Sequence, residues 1–210
     1  FQQGDKSVRG GSCYEIFEES TADILGALNF LKSLGKTKFI LEGHSLGCSK
    51  VVNYQLNNPG ENIEKLILLA PTDMCAWAGA QKDHQENLAK AKKLVAEDRL
   101  QELVGFECWV DKTPISAATY LSICEEGRPV DIYGQREGGT LLGRLNLPVL
   151  VPYGDIDGGI TMVEERVENW LKRVEALGNN SLQIEIIKGA KHSYTGHEQE
   201  LAEIVERFIN

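Results

Sequence analysis

The sequence predicts an α/β fold built on a mostly parallel sheet flanked by helices. Three observations carry this. The runs Lys38–Glu42, Lys65–Ala70 and Pro148–Tyr153 place apolar residues in succession rather than in alternation, as in strands covered on both faces. Segments with helical periodicity separate them, which implies parallel strands joined by right-handed crossovers. Each run is closed by a breaker: Gly43, Pro71 and Gly154.

The elements follow in order. Residues 1–19 are rich in Gly, Ser and charge and read as a loop. Ser20 or Thr21 can cap the next helix. Its Ile24, Leu25, Leu28, Leu31 and Leu34 recur at helical spacing before the stop at Gly35. After the strand at Phe39–Glu42, a helix is expected from about Leu46 to Asn57, ended by Asn58-Pro59. The strand Leu66–Ala70 follows. Residues 75–145 differ in character. Gln85–Arg99 and Ser116–Cys124 read as helices, and the Gly-rich stretch Gly127–Gly143 holds no strand pattern. The division is therefore a first part of the core over 1–74, an inserted helical cap over 75–145, and a second part of the core over 146–210. In that last part Val149–Tyr153 is a strand, and Thr161 with Glu164 forms a capping box. Val163, Val167, Trp170, Leu171, Val174 and Leu177 line one face of a helix. Leu182–Ile187 is the last strand, Gly189–Gly196 a loop, and Glu198–Ile209 a closing helix.

Composition narrows the partners. With 210 residues, 42% hydrophobic and 25% charged, the chain can bury a real core. A net charge of −9 and the lack of a basic cluster argue against nucleic acid or an anionic membrane surface. No apolar run approaches the ~18 residues of a membrane span. The five cysteines, Cys13, Cys48, Cys75, Cys108 and Cys124, are scattered without zinc spacing. They read as free thiols of a reducing compartment, with a disulfide between one pair as the alternative. The expected location is cytoplasmic, and because the chain opens at Phe1, secretion stays open.

The chemistry gathers around Gly43-His44-Ser45-Leu46-Gly47, a G-x-S-x-G pattern between a buried strand and a helix. A turn this tight asks for glycine on both sides, strains the serine backbone and lifts its hydroxyl above the sheet. Ser45 is the candidate nucleophile, and the Leu46 N–H at the helix start the candidate oxyanion donor. A serine needs a base. His192, in the loop between the last strand and the last helix, is the candidate. His197 competes but belongs to the start of the closing helix. His44 should point away from the site, under the turn, and His84 faces either solvent or substrate. The base needs an orienting carboxylate. Asp155 and Asp157 both follow the strand Val149–Tyr153; Asp157 is favoured, Asp155 is the alternative acid, and Asp73 is a third option. Cys48 is a small helix residue rather than a nucleophile. Trp77, Phe106, Trp109 and Tyr120 either line an acyl pocket or form the cap's own core.

The elbow, the acid loop after a later strand and the late histidine resemble the α/β-hydrolase superfamily over residues 12–210. Gly154-Asp-Ile-Asp157 matches the usual G-x-x-D of its acid loop. Residue by residue, the resemblance implies Ser45 as nucleophile, Asp157 as acid, His192 as base and Leu46 as oxyanion donor. Gly43–Cys48 and the acidic helix before it are similar to a family of small esterase-like hydrolases, some fungal members of which hydrolyse siderophore esters; that substrate is not carried over. The expected activity is cleavage of a small-molecule carboxylic ester, thioester or amide through an acyl-enzyme, with no metal and no organic cofactor. An acyltransferase or thioesterase of the same fold, and a non-catalytic binding protein that keeps it, are the alternatives.

The superfamily sheet has about eight strands, of which four are placed here. The earlier strands and the loop carrying the second oxyanion N–H are therefore expected upstream of Phe1, or from a second chain. Without them the strand Phe39–Glu42 would be an open apolar edge.

Overall fold

A computed structural model describes residues 2–3, 6–7, 11–105, 114–161 and 167–210. Phe106, Cys108, Trp109, Val163 and Glu164 lie outside the described residues, as does the Thr161 side chain, so the capping box and two of the cap aromatics fall there too.

Two short strands, β1 (Gln2–Gln3) and β2 (Lys6–Ser7), pair antiparallel. Two 3₁₀ turns, Gly11–Tyr14 and Phe17–Glu19, lead into α1 (Ser20–Ser33). The N-cap of α1 is Glu19, not Ser20 or Thr21. Because the 3₁₀ turn runs straight into the helix, the Ser20 hydroxyl is already inside it and donates back to Phe17 O at 2.6 Å. Next come β3 (Phe39–His44), α2 (Leu46–Asn57) and β4 (Ile63–Leu69). An inserted segment holds α3 (Met74–Gly79), α4 (His84–Ala96), a small ladder of β5 (Leu103–Val104) with β6 (Ile115–Ser116), and α5 (Ala117–Cys124). The chain then returns through β7 (Val149–Gly154), α6 (Gly158–Thr161), α7 (Val167–Glu175), β8 (Leu182–Ile187) and α8 (Glu198–Ile209).

Strands β3, β4, β7 and β8 form one parallel sheet in the order β3-β4-β7-β8. These are the four strands expected from the sequence, three of them from the apolar runs. β7 is buried at all six positions, as two covered faces require. α2 covers β3 and β4, while α8 packs on β7 and β8. Trp170 of α7 is buried against Tyr153, with ring centroids 3.9 Å apart.

Two hydrophobic cores result. The larger lies around Leu66, Leu68, Leu150, Val151 and Trp170. The second gathers the inserted helices around Met74, Ile115 and Tyr120, and takes in Phe17 from the N-terminal segment. That segment is more than a loop: the Phe17 N–H donates to Ser122 Oγ at 2.7 Å, and the Thr119 hydroxyl donates to Cys13 O at 3.2 Å. Cys13, Cys48 and Cys75 are free and buried, and Cys124 is buried too. Among the described residues no helix is long and apolar enough to cross a membrane.

Candidate active site

The carboxyl ends of β3, β4, β7 and β8 bring the chemistry together, as is general for parallel α/β sheets. Ser45 sits between β3 and α2 with φ 56° and ψ −122°. This is strained backbone for a residue with a Cβ. Its N–H is held by Leu69 O at 2.9 Å. A Cβ on Gly43 would lie 2.3 Å from Gly47 O and 2.7 Å from Cys48 N, so position 43 admits only glycine. Gly47 differs from the expectation: apart from its own helix, an added Cβ there meets no heavy atom within 4 Å. The close approach is of the Gly47 carbonyl onto the Gly43 α-carbon, so the steric demand falls on one glycine. Leu46 is the first residue of α2, and its N–H therefore has no acceptor inside the helix. The Cys48 thiol is shared between Gly43 O at 3.0 Å and Leu69 O at 3.2 Å, and burial pushes its pKa well up. It stays a neutral packing group, since the thiolate is the reactive form.

The loops after β7 and β8 meet at Asp157 and His192. Asp157 Oδ1 lies 2.9 Å from His192 Nδ1 and accepts the Gly159 N–H at 2.7 Å. The carboxylate side chain is fully buried, while the imidazole is about one-third exposed at 35%. A carboxylate only accepts, so Nδ1 is the donor, which in a neutral imidazole leaves Nε2 its lone pair. Asp155 stands apart: its Oδ1 accepts the Gly189 N–H at 2.6 Å and braces the turn after β8. Asp73 caps α3, accepting the Ala76 N–H at 2.9 Å, and pairs with Arg173 at 2.8 Å. Neither of these two carboxylates bonds to His192.

The other histidines separate clearly. His197 is the N-cap residue of α8. His84 is buried in the second core, its Nδ1 2.9 Å from Tyr120 Oη, and burial lowers its pKa. Tyr120 thus belongs to the interior of the inserted helices, and Trp77 packs against the same core. His44 does not turn away under the elbow. Its Nε2 donates to His192 O at 2.8 Å, and the two rings lie 4.9 Å apart. Through this bond it braces the loop after β8. Tyr194 holds the same loop from beneath, donating to Pro152 O at 2.7 Å.

Sequence reasoning missed Thr72. It is buried, and its Oγ1 is 3.5 Å from Ser45 Oγ. The signal available was its place just past the carboxyl end of β4, where such sheets build their sites.

Comparison with known proteins sharpens the fold. Residues 7–210 match the family described as protein of unknown function (DUF1749). No curated protein matches the chain. Among solved structures, Est1E from Butyrivibrio proteoclasticus is similar at TM-score 0.62 and 18% identity, over 93% of this chain and 70% of that one. The monoacylglycerol lipase of Paleococcus ferrophilus aligns at TM-score 0.56 and 19% identity, over 92% and 76%. The carboxylesterase CesB of Bacillus subtilis aligns at TM-score 0.50 and 20% identity, over 98% and 70%. The fold is that of the α/β-hydrolases.

Proposed function

The chain belongs to the DUF1749 family, and for it we propose a serine hydrolase that cleaves a carboxylic ester, or a related thioester or amide, through an acyl-enzyme on Ser45. One observation carries the reading. A serine on a strained strand–helix turn stands at the same end of the sheet as an imidazole whose Nδ1 is 2.9 Å from a buried carboxylate.

In this reading His192 Nε2 takes the Ser45 proton as Oγ attacks the carbonyl carbon. The Leu46 N–H, at the positive end of α2, donates to the oxyanion. The imidazolium gives the proton to the leaving group; the neutral imidazole then takes a proton from water as it attacks the acyl-enzyme, and returns it to Ser45 Oγ as the acid leaves. Asp157 fixes the tautomer and stabilises the imidazolium. The helices inserted between β4 and β7 act as a cap beside this site.

An open edge accompanies the serine. Among the described residues β3 pairs with β4 alone, and Ile40 on it, with Phe30 and Leu34 of α1, stays exposed at 40%, 63% and 59%. We infer that strands from elsewhere in the full protein, or from a second chain, cover this edge and bring the second oxyanion N–H. If the 210-residue chain proves monomeric by light scattering and fully active alone, that inference falls.

The hydrolase reading is tested with a fluorophosphonate probe on the full-length protein. Labelling that maps to Ser45 and disappears in Ser45→Ala is expected. No labelling at Ser45 would sink the reading. A series of p-nitrophenyl esters of graded chain length then defines the acyl preference.

A further inference from the structure

The loop that carries His192 lies largely at the surface: among residues 191–196 only Tyr194 is buried. Two successive turns shape it. The Tyr194 N–H bonds to Lys191 O at 2.9 Å, closing a turn over 191–194, and the His197 N–H bonds to Tyr194 O at 2.8 Å, closing another over 194–197. Tyr194, at their junction, has φ 55°, a positive value uncommon for a bulky residue, and its phenol is anchored on Pro152 O.

His192 is the second residue of the first turn. Turns of types I and II differ by a flip of the central peptide, here the one between His192 and Ser193, and the bond that closes a turn fits either orientation. His44 supplies the choice. Its Nε2 lies 2.8 Å from His192 O, and a carbonyl only accepts, so Nε2 carries the proton and donates. His44 ends β3 and immediately precedes Ser45. The bond therefore ties the strand that delivers the nucleophile to the backbone of the base, across 148 residues of sequence.

Resting on the hydrolase reading, we propose that His44 is a positioning residue: by donating its Nε2–H to His192 O it fixes the central peptide of the turn and keeps the His192 imidazole aligned on Asp157, ready to take the Ser45 proton. The bond uses no proton that the reaction moves, so it persists from the free enzyme through both chemical steps. The same imidazole serves acylation and deacylation, so loss of the restraint slows both by the same factor. In an acyl-enzyme pathway this lowers kcat and leaves KM in place, because KM depends on substrate affinity and on the ratio of the two steps.

The experiment exploits the reach of two amides. A glutamine amide stands where the histidine Nε2 stands and can make the same bond; an asparagine amide stands nearer the backbone, at the Nδ1 position, and falls short. Wild type, His44→Gln and His44→Asn of the full-length protein are compared with a p-nitrophenyl ester. His44→Asn should lower kcat about fivefold, the size of one hydrogen bond, with KM within about twofold. His44→Gln should recover most of the loss. The second readout is the downfield proton resonance of the His192 Nδ1–H that bonds Asp157, which should be sharp in wild type and His44→Gln and broadened in His44→Asn. An unchanged kcat or an equally sharp resonance in His44→Asn overturns the proposal, as does a glutamine variant as slow as the asparagine variant. A rise in KM at constant kcat also overturns it, since His44 would then contact substrate. If His44→Asn does not fold, His44→Phe, a ring without a donor, takes its place against the same glutamine control. A wild type that turns over no ester and that no fluorophosphonate labels fails the hydrolase reading itself; the resonance then decides the His44 restraint on its own.

Discussion

β3 and β7 each deliver one member of the proposed catalytic set, yet they do so by opposite means. β7 is central, paired on both sides and buried throughout. β3 is the edge among the described strands, with two of its six residues buried. Ser45, at the end of β3, is placed by backbone: a glycine under the turn, its own N–H on Leu69 O, and a thiol bridging two carbonyls. Asp157, past the end of β7, is placed by burial and by bonds to its carboxylate. The proposed nucleophile is thus held at a poorly covered edge by backbone restraints alone. The acid needs the interior, where exclusion of water strengthens its bond to the imidazole.

The comparison can be broken most directly at the acid. Asp157→Asn should lower kcat/KM by about 10³–10⁴, the scale seen when a triad carboxylate is neutralised, whereas Asp155→Asn should stay within about threefold. Steady-state kinetics on the two variants decide it, and equal losses would erase the distinction between the two carboxylates. A smaller effect sharpens it at Gly159. An alanine Cβ there would lie 2.9 Å from Thr72 Oγ1, 3.1 Å from Asp157 Oδ1 and 3.2 Å from His192 Nδ1. Gly159→Ala should cost roughly 10- to 100-fold in kcat/KM through displaced groups, with a far-ultraviolet spectrum like that of wild type.

The smallest expected effect lies in the inserted helices. His84 is pushed below its ordinary pKa by burial. A base lowered in this way binds fewer protons folded than unfolded. Its contribution is therefore intact above the ordinary histidine range and is lost as pH falls through it. Urea midpoints measured from pH 7.5 to 5.5 should decline, with this one group supplying at most about 1.4 kcal/mol per pH unit. His84→Gln should flatten that part of the slope.

The fold was legible because parallel strands write their double burial directly into sequence: Leu66–Leu69 and Val149–Val151 are apolar without a break. The elbow was legible for a related reason, since a backbone constraint leaves a glycine signature. Side-chain direction in loops left no such trace. His44 and Thr72 became neighbours of the site only when β3, β4 and the loop after β8 were brought side by side, and neither carries a periodicity. The N-terminal segment was read as a loop for the same reason: Cys13 and Phe17 reach α5 across more than a hundred residues of sequence.

The Tyr153 ring has a second neighbour whose consequence is optical. One edge of the residue is tied to Pro71 O, beside Thr72; its face lies against the Trp170 indole. An aromatic pair this close transfers excitation, so the emission of a buried indole reports on the turn that carries Thr72. Trp170 is one of three tryptophans in the chain, so a Trp170→Phe control isolates its share of any emission change on adding a ligand.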